Sequence, residues 1–137
     1  MTSTDGVTDT YERGLRVRRE VLGHEHVDAS LQRASDFSRP VQDLVTEYCW
    51  GAVWARPGLD RRTRSLVNVA MLTTLNRNHE LAVHVRAAVT NGATVQEIQE
   101  VLLQTAAYVG FPAALESFRV AEGVLGESVE EPGGVDE

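Results

Sequence analysis

The stretch from Asp60 to Gly92, DRRTRSLVNVAMLTTLNRNHELAVHVRAAVTNG, constrains the fold of this chain more than any other. Between Ser65 and Leu75 the apolar residues Leu66, Val67, Val69, Ala70, Met71, Leu72 and Leu75 fall on nearly every side of a helix. A helix that is hydrophobic all round is a buried helix, so this one is expected at the centre of the molecule. A second helix follows over 78–91 and brings polar residues with it. Glu80 and His84 are four apart and share one face, one turn above the other. Ala87 and Ala88 leave room beside that face.

The rest of the chain supplies helices to surround this pair. Asp9-Thr-Tyr-Glu12 has the form of a capping box and predicts a first helix over 9–22, with Tyr11, Leu15 and Leu22 on its apolar face and Gly23 as its stop. Arg18 interrupts that face; with Arg13, Arg16 and Arg19 it reads as a solvated surface. Asp28 caps a short helix over 29–36. Ser38-Arg-Pro40 opens another, running to Trp50, with Val41, Leu44, Val45 and Tyr48 at core spacing. Pro57-Gly58 marks a turn, and Asp60 caps the central helix. Thr94-Val-Gln-Glu97 is a capping box, followed by Ile98, Val101, Leu102, Thr105 and Val109 at helical spacing. Gly110 and Pro112 separate that helix from the last one, whose expected core is Leu115, Phe118 and Leu125. No segment alternates as a strand. The expected fold is all-α, one domain of six or seven helices over 9–126, between a flexible segment at 1–8 and an acidic tail at 127–137.

Charge and composition exclude several classes of function. The net charge of −7 sits mostly at the ends: without the seven acids in 1–10 and 127–137, thirteen acids balance thirteen bases. No basic stripe points to nucleic acid. No apolar run approaches the roughly 18 residues of a membrane span, and the N-terminus lacks a signal peptide's apolar core, so a cytoplasmic protein is expected. Every base is arginine, which removes Schiff-base chemistry on a lysine. The single cysteine, Cys49, excludes a dithiol within one chain. His24 and His26 are two apart and do not face one another, and no third ligand is near in sequence, so no metal site is expected.

Seven segments, in order, carry a resemblance: Glu47-Tyr-Cys-Trp-Gly51, Trp54-Ala-Arg-Pro-Gly-Leu59, Arg62-Thr-Arg-Ser65, Leu75-Asn-Arg77, His84-Val-Arg-Ala-Ala88, Asn91-Gly92 and Tyr108-Val-Gly-Phe-Pro112. Together they resemble the carboxymuconolactone decarboxylase family over residues 10–126. The resemblance implies an alkylhydroperoxidase-like helical fold, a homo-oligomer (typically a hexamer) and no cofactor. It also implies decarboxylation of 4-carboxymuconolactone in protocatechuate breakdown. The peroxidase branch of that superfamily carries C-x-x-C-x-x-x-H; here His84 keeps the histidine, while Arg77 and Glu80 replace the cysteines. That departure favours acid–base chemistry.

Such a decarboxylation pushes electrons through the ring double bond of a dicarboxylate lactone onto its carbonyl. The protein must supply a donor to the oxyanion, a proton for the α-carbon and cations for the carboxylates. By chemical type, His84 is the candidate proton or oxyanion donor, with Glu80 to orient it and Glu47 as a second acid–base group. Arg64 and Arg56 are candidates for gripping carboxylates. Cys49, Trp54, His79 and Tyr108 are candidates for the pocket wall. Each has a structural alternative: core histidine, surface ion pair, intersubunit salt bridge or buried aromatic. Two other functions fit the same scaffold, namely acid–base chemistry on another small acid, including in secondary metabolism, and a non-catalytic oligomeric binding protein.

Overall fold

The computed structural model describes residues 3–128. Residues 1, 2 and 129–137, which hold the start of the expected N-terminal segment and nearly all of the acidic tail, lie outside them. The described residues form an all-α structure without strands: α1 (Ser3–Leu22), α2 (His24–Arg33), α3 (Arg39–Leu44), α4 (Arg61–Thr74), α5 (Asn78–Thr90), α6 (Val95–Val109) and α7 (Phe111–Ser128). Helix α3 continues without a break into a π-helical stretch, Val45–Trp54. The alkylhydroperoxidase-like expectation of an all-helical chain is met. No helix among the described residues is long and apolar enough to cross a membrane. The chain divides into two compact units at Asp60 and Arg61.

In the first unit, α1 packs along the π-helical stretch. The two backbones touch where neither side has a side chain: a Cβ on Gly14 would lie 1.9 Å from the Thr46 carbonyl oxygen, and one on Gly51 would lie 2.3 Å from that of Thr10. The buried face of α1 is therefore Gly14, Val17, Arg18 and Val21, with Tyr11, Leu15 and Leu22 only half-buried. Arg18, expected in solvent, is 6% exposed. One Nη donates to Thr46 Oγ1 at 2.9 Å and the other to Gln42 Oε1 at 3.1 Å. Burial pulls its pKa down, with Cys49 and Tyr11 acting in the opposite sense.

The expected core of the third helix also changes. Val41, Leu44 and Tyr48 are exposed, and Thr46, Trp50, Gly51 and Trp54 are buried instead. From Val45 on, the winding bonds i to i+5, so a face read at 3.6 residues per turn no longer holds for Tyr48; Val41 and Leu44 lie before it, on the α-wound α3. Helix α2 starts at His24, ahead of the expected cap, and Asp28 lies inside it, accepting Arg19 at 2.7 Å.

The second unit is built from α4 to α7 around Val69, Leu81, Val85, Ala88, Ile98, Leu102, Ala121 and Val124. Two left-handed residues set its turns. Asn76 (φ 59°) ends α4, with Arg77 N–H donating to Leu72 O at 3.0 Å and Asn76 N–H to Thr73 O at 3.2 Å. Gly92 (φ 99°) ends α5 in the same way, with Ala93 N–H on Ala88 O at 2.9 Å. Both are Schellman closures, which need αL at C′ and take it from Asn or Gly. The Thr94 capping box is formed as expected, both bonds at 3.0 Å. The same Glu97 also accepts Arg62 from α4.

Two core expectations fail here. Helix α4 is not covered all round: Ser65, Val69 and Thr73 are buried, but Val67, Met71 and Leu75 are exposed. On α7 the buried stripe is Ala114, Ser117, Ala121 and Val124, while Leu115 is 55% exposed and Phe118 and Leu125 are half-buried. Small residues let α7 approach its neighbours closely, so the stripe falls one position before the bulky residues.

Candidate active site

The site is clearest in the second unit, where α4 and α5 run against each other. His84 sits in the middle of α5, half-buried, and its Nδ1 lies 3.3 Å from Asn68 Nδ2 on α4. Asn68 was not anticipated from the sequence. Its signal was there: it is the one amide within the apolar run Leu66–Leu72. Arg64, also half-buried, lies one turn before Asn68, so an i,i+4 spacing puts a guanidinium and the histidine's partner on one face of α4. A second amide braces the same helix pair: Asn91 Nδ2 donates to Ser65 Oγ at 2.9 Å.

Glu80 is placed differently from the expectation. Its two carboxylate oxygens take Arg77 Nε and Nη at 3.4 Å each, and its side chain is 45% exposed. That hydrogen bonding to Arg77 holds the Glu80 carboxyl below the usual carboxylate range. The orienting group found on His84 is thus Asn68, a neutral amide. His79 is exposed in the first turn of α5. Tyr108, 82% exposed, lies at the end of α6 beside an open apolar groove of about 550 Å³ between α4 and α6, with Leu66, Val67, Ala70 and Val101 on its walls. The chemistry-bearing His84 and Arg64 do not line that groove.

The remaining candidates belong to the first unit. Glu47 and Cys49 are half-buried on the π-helical stretch, and Arg56 is exposed in the turn that follows it. Burial pushes the Cys49 thiol up, and the Arg18 cation only partly offsets this, so it is a thiol and not a thiolate at neutral pH. Trp54, expected in a pocket wall, is 6% exposed and stacks on Trp50 with ring centroids 4.6 Å apart; it is core. π-Helical segments cluster at functional sites, and this one carries three of the nine candidates, Glu47, Cys49 and Trp54.

The family model for carboxymuconolactone decarboxylases matches residues 39–123, which span both the π-helical stretch and the Asn68–His84 contact. The chain belongs to the carboxymuconolactone decarboxylase family. It is 46% identical over 115 residues to a 4-carboxymuconolactone decarboxylase of Acinetobacter baylyi, covering 84% of this chain and 86% of that one. It is also 41% identical over 120 residues to a nitrosuccinic acid decarboxylase of Metarhizium robertsii, covering 88% and 84%. An uncharacterised 15.0 kDa protein of Paracoccus denitrificans shares 34% over 89 residues, 64% and 66% of the two chains. Both relatives with a named activity are carboxy-lyases, and this member of the carboxymuconolactone decarboxylase family is a decarboxylase. Arg77 and Glu80, which the resemblance sets at the peroxidase cysteine positions, are bound to each other as an ion pair.

Proposed function

We propose that the protein converts 4-carboxymuconolactone to 3-oxoadipate enol-lactone and CO2 without a cofactor. The observation that carries this reading is the contact of His84 with Asn68, on a helix that carries Arg64 one turn before Asn68. As CO2 leaves, its bonding electrons pass through the ring double bond to the lactone carbonyl oxygen. His84 Nε2–H donates a hydrogen bond to that oxygen as charge builds on it, and the α-carbon takes up a proton from water. Arg64 grips a carboxylate, for which its fork is matched. The conjugated carbonyl is the electron sink, so the chemistry needs no external one.

The likeness to a nitrosuccinic acid decarboxylase favours a second reading. In a 2-nitro acid the same electron pair would pass onto the nitro oxygens, and the retained carboxylate would meet the same arginine. Both substrates are small diacids whose departing carboxylate sits on a carbon from which the electrons of the breaking bond can pass to an oxygen-bearing acceptor. Protein dialysed against EDTA is incubated with each acid, and CO2 release is followed. Turnover of the lactone is expected. Turnover of nitrosuccinate alone selects the second reading, and turnover of neither, or activity that returns only with added metal, overturns the proposal.

The working form we propose is a homo-oligomer, with the family's hexamer as the expected size. Val67, Met71, Leu75, Leu103, Tyr108 and Val109 are all exposed on or beside α4 and α6, an apolar surface of the kind that second copies cover. Light scattering at micromolar concentration is expected to give a multiple of 15.0 kDa, and a single-chain mass overturns it.

A further inference from the structure

We infer that Asn68 is a positioning residue for His84, and that its carboxamide fixes the neutral ring as the tautomer carrying its proton on Nε2. For its catalytic consequence the inference rests on the decarboxylase reading above; its structural content rests on the contact between α4 and α5. Asn68 Nδ2 stands 3.3 Å from His84 Nδ1. An amide nitrogen only donates, so the ring nitrogen facing it must present a lone pair. In a neutral imidazole the proton then belongs to Nε2, the nitrogen turned away from Asn68.

The nearest carboxylate on His84's own helix, Glu80, is bound to Arg77 and held as an anion there. The α4 face that carries Asn68 also carries Arg64 one turn before it. Both Asn68 and His84 are half-buried, so each loses solvent and gains from the other. The contact is held in register by the closures around it, the Asn76 turn between the two helices and the Asn91–Ser65 bond at their far end. Only the neutral Nε2–H tautomer offers the reacting oxygen a donor while keeping Nδ1 anchored. A carboxylate at position 68 would call the proton to Nδ1 instead.

The test is ¹⁵N spectroscopy of histidine-labelled protein at neutral pH, with the His84 signals assigned by their loss in His84→Gln. Expected in the wild type are an unprotonated Nδ1 and a protonated Nε2. Asn68→Ala is expected to give an average of both tautomers, and Asn68→Asp, which keeps the shape of the side chain, a protonated Nδ1. Kinetics on the turned-over acid are expected to show kcat lower by about tenfold to a hundredfold in Asn68→Ala, as when the partner that orients a metal-bound imidazole is lost, with KM little changed. A wild-type ring already protonated on Nδ1, or an Asn68→Ala ring with an unchanged tautomer, overturns the inference. If the tautomers respond as expected but neither acid is decarboxylated, the positioning role stands and the proposed function falls.

Discussion

His84→Asn is expected to lower kcat by at least about a hundredfold, the lower end of what losing an oxyanion donor costs. The substitution is informative because it leaves the surroundings in place. Asn keeps a polar group within reach of Asn68, and the α5 residues that hold the helix in the core, Leu81, Val85 and Ala88, are untouched. Helicity and oligomer size should therefore match the wild type. The structure also supplies a contrast. The Glu80 carboxylate is exposed and bound to Arg77, not to the imidazole, so Glu80→Gln is expected to stay within a few-fold of wild-type kcat. Steady-state kinetics with circular dichroism on both variants decides. Should His84→Asn work within a few-fold of wild type, the oxyanion is met by another donor. Should it unfold, His84 is a core residue.

Gly14→Ala is expected to destabilise the protein by about 3 kcal/mol or more, at or beyond the top of the usual range for overpacking. The added Cβ would stand 1.9 Å from the Thr46 carbonyl oxygen and 2.8 Å from the Gly51 nitrogen, both backbone atoms that cannot swing aside as a side chain would. Gly51→Ala meets the same barrier at the Thr10 carbonyl oxygen, 2.3 Å away. Glycine inside a helix ordinarily costs about 0.5–1 kcal/mol relative to alanine, so α1 accepts a weaker helix in return for this approach. Gly123→Ala is the control. Nothing lies within 4 Å of its added Cβ in α7, and there the same substitution is expected to stabilise by about 0.5–1 kcal/mol. Urea melts of the three variants test this, and a Gly14→Ala midpoint equal to wild type would remove the close approach as a feature of the fold. The consequence reaches the candidate site, because α1 is what the π-helical stretch bearing Glu47 and Cys49 packs against.

Local chemistry was legible at some helix ends and not at others: Asp9 and Asp28, read as starting helices, lie inside α1 and α2. The Thr94–Glu97 box, the Asn91-Gly92 stop and the start of α4 after Asp60 all lie where the residues put them, since caps and αL closures involve neighbours in the chain. The all-α class followed for the same reason, from apolar spacing repeated in segment after segment. The family resemblance was legible too, because it rests on the order of short motifs and not on their contacts. What the sequence could not carry was the choice of face and partner. Apolar spacing assumed 3.6 residues per turn, which does not hold beyond Val45, where the π-wound stretch buries Thr46, Trp50, Gly51 and Trp54. Size misled on α7, where close packing selects small residues over Leu115. Arg18 looked like a surface charge until Thr46 and Gln42, brought near by a helix crossing, gave its guanidinium partners. Glu80 and His84 share a helical face, but a shared face fixes only proximity. The tertiary structure gave Glu80 to Arg77 and His84 to Asn68, sixteen residues back on another helix, because a hydrogen bond goes to the group whose position packing has already set.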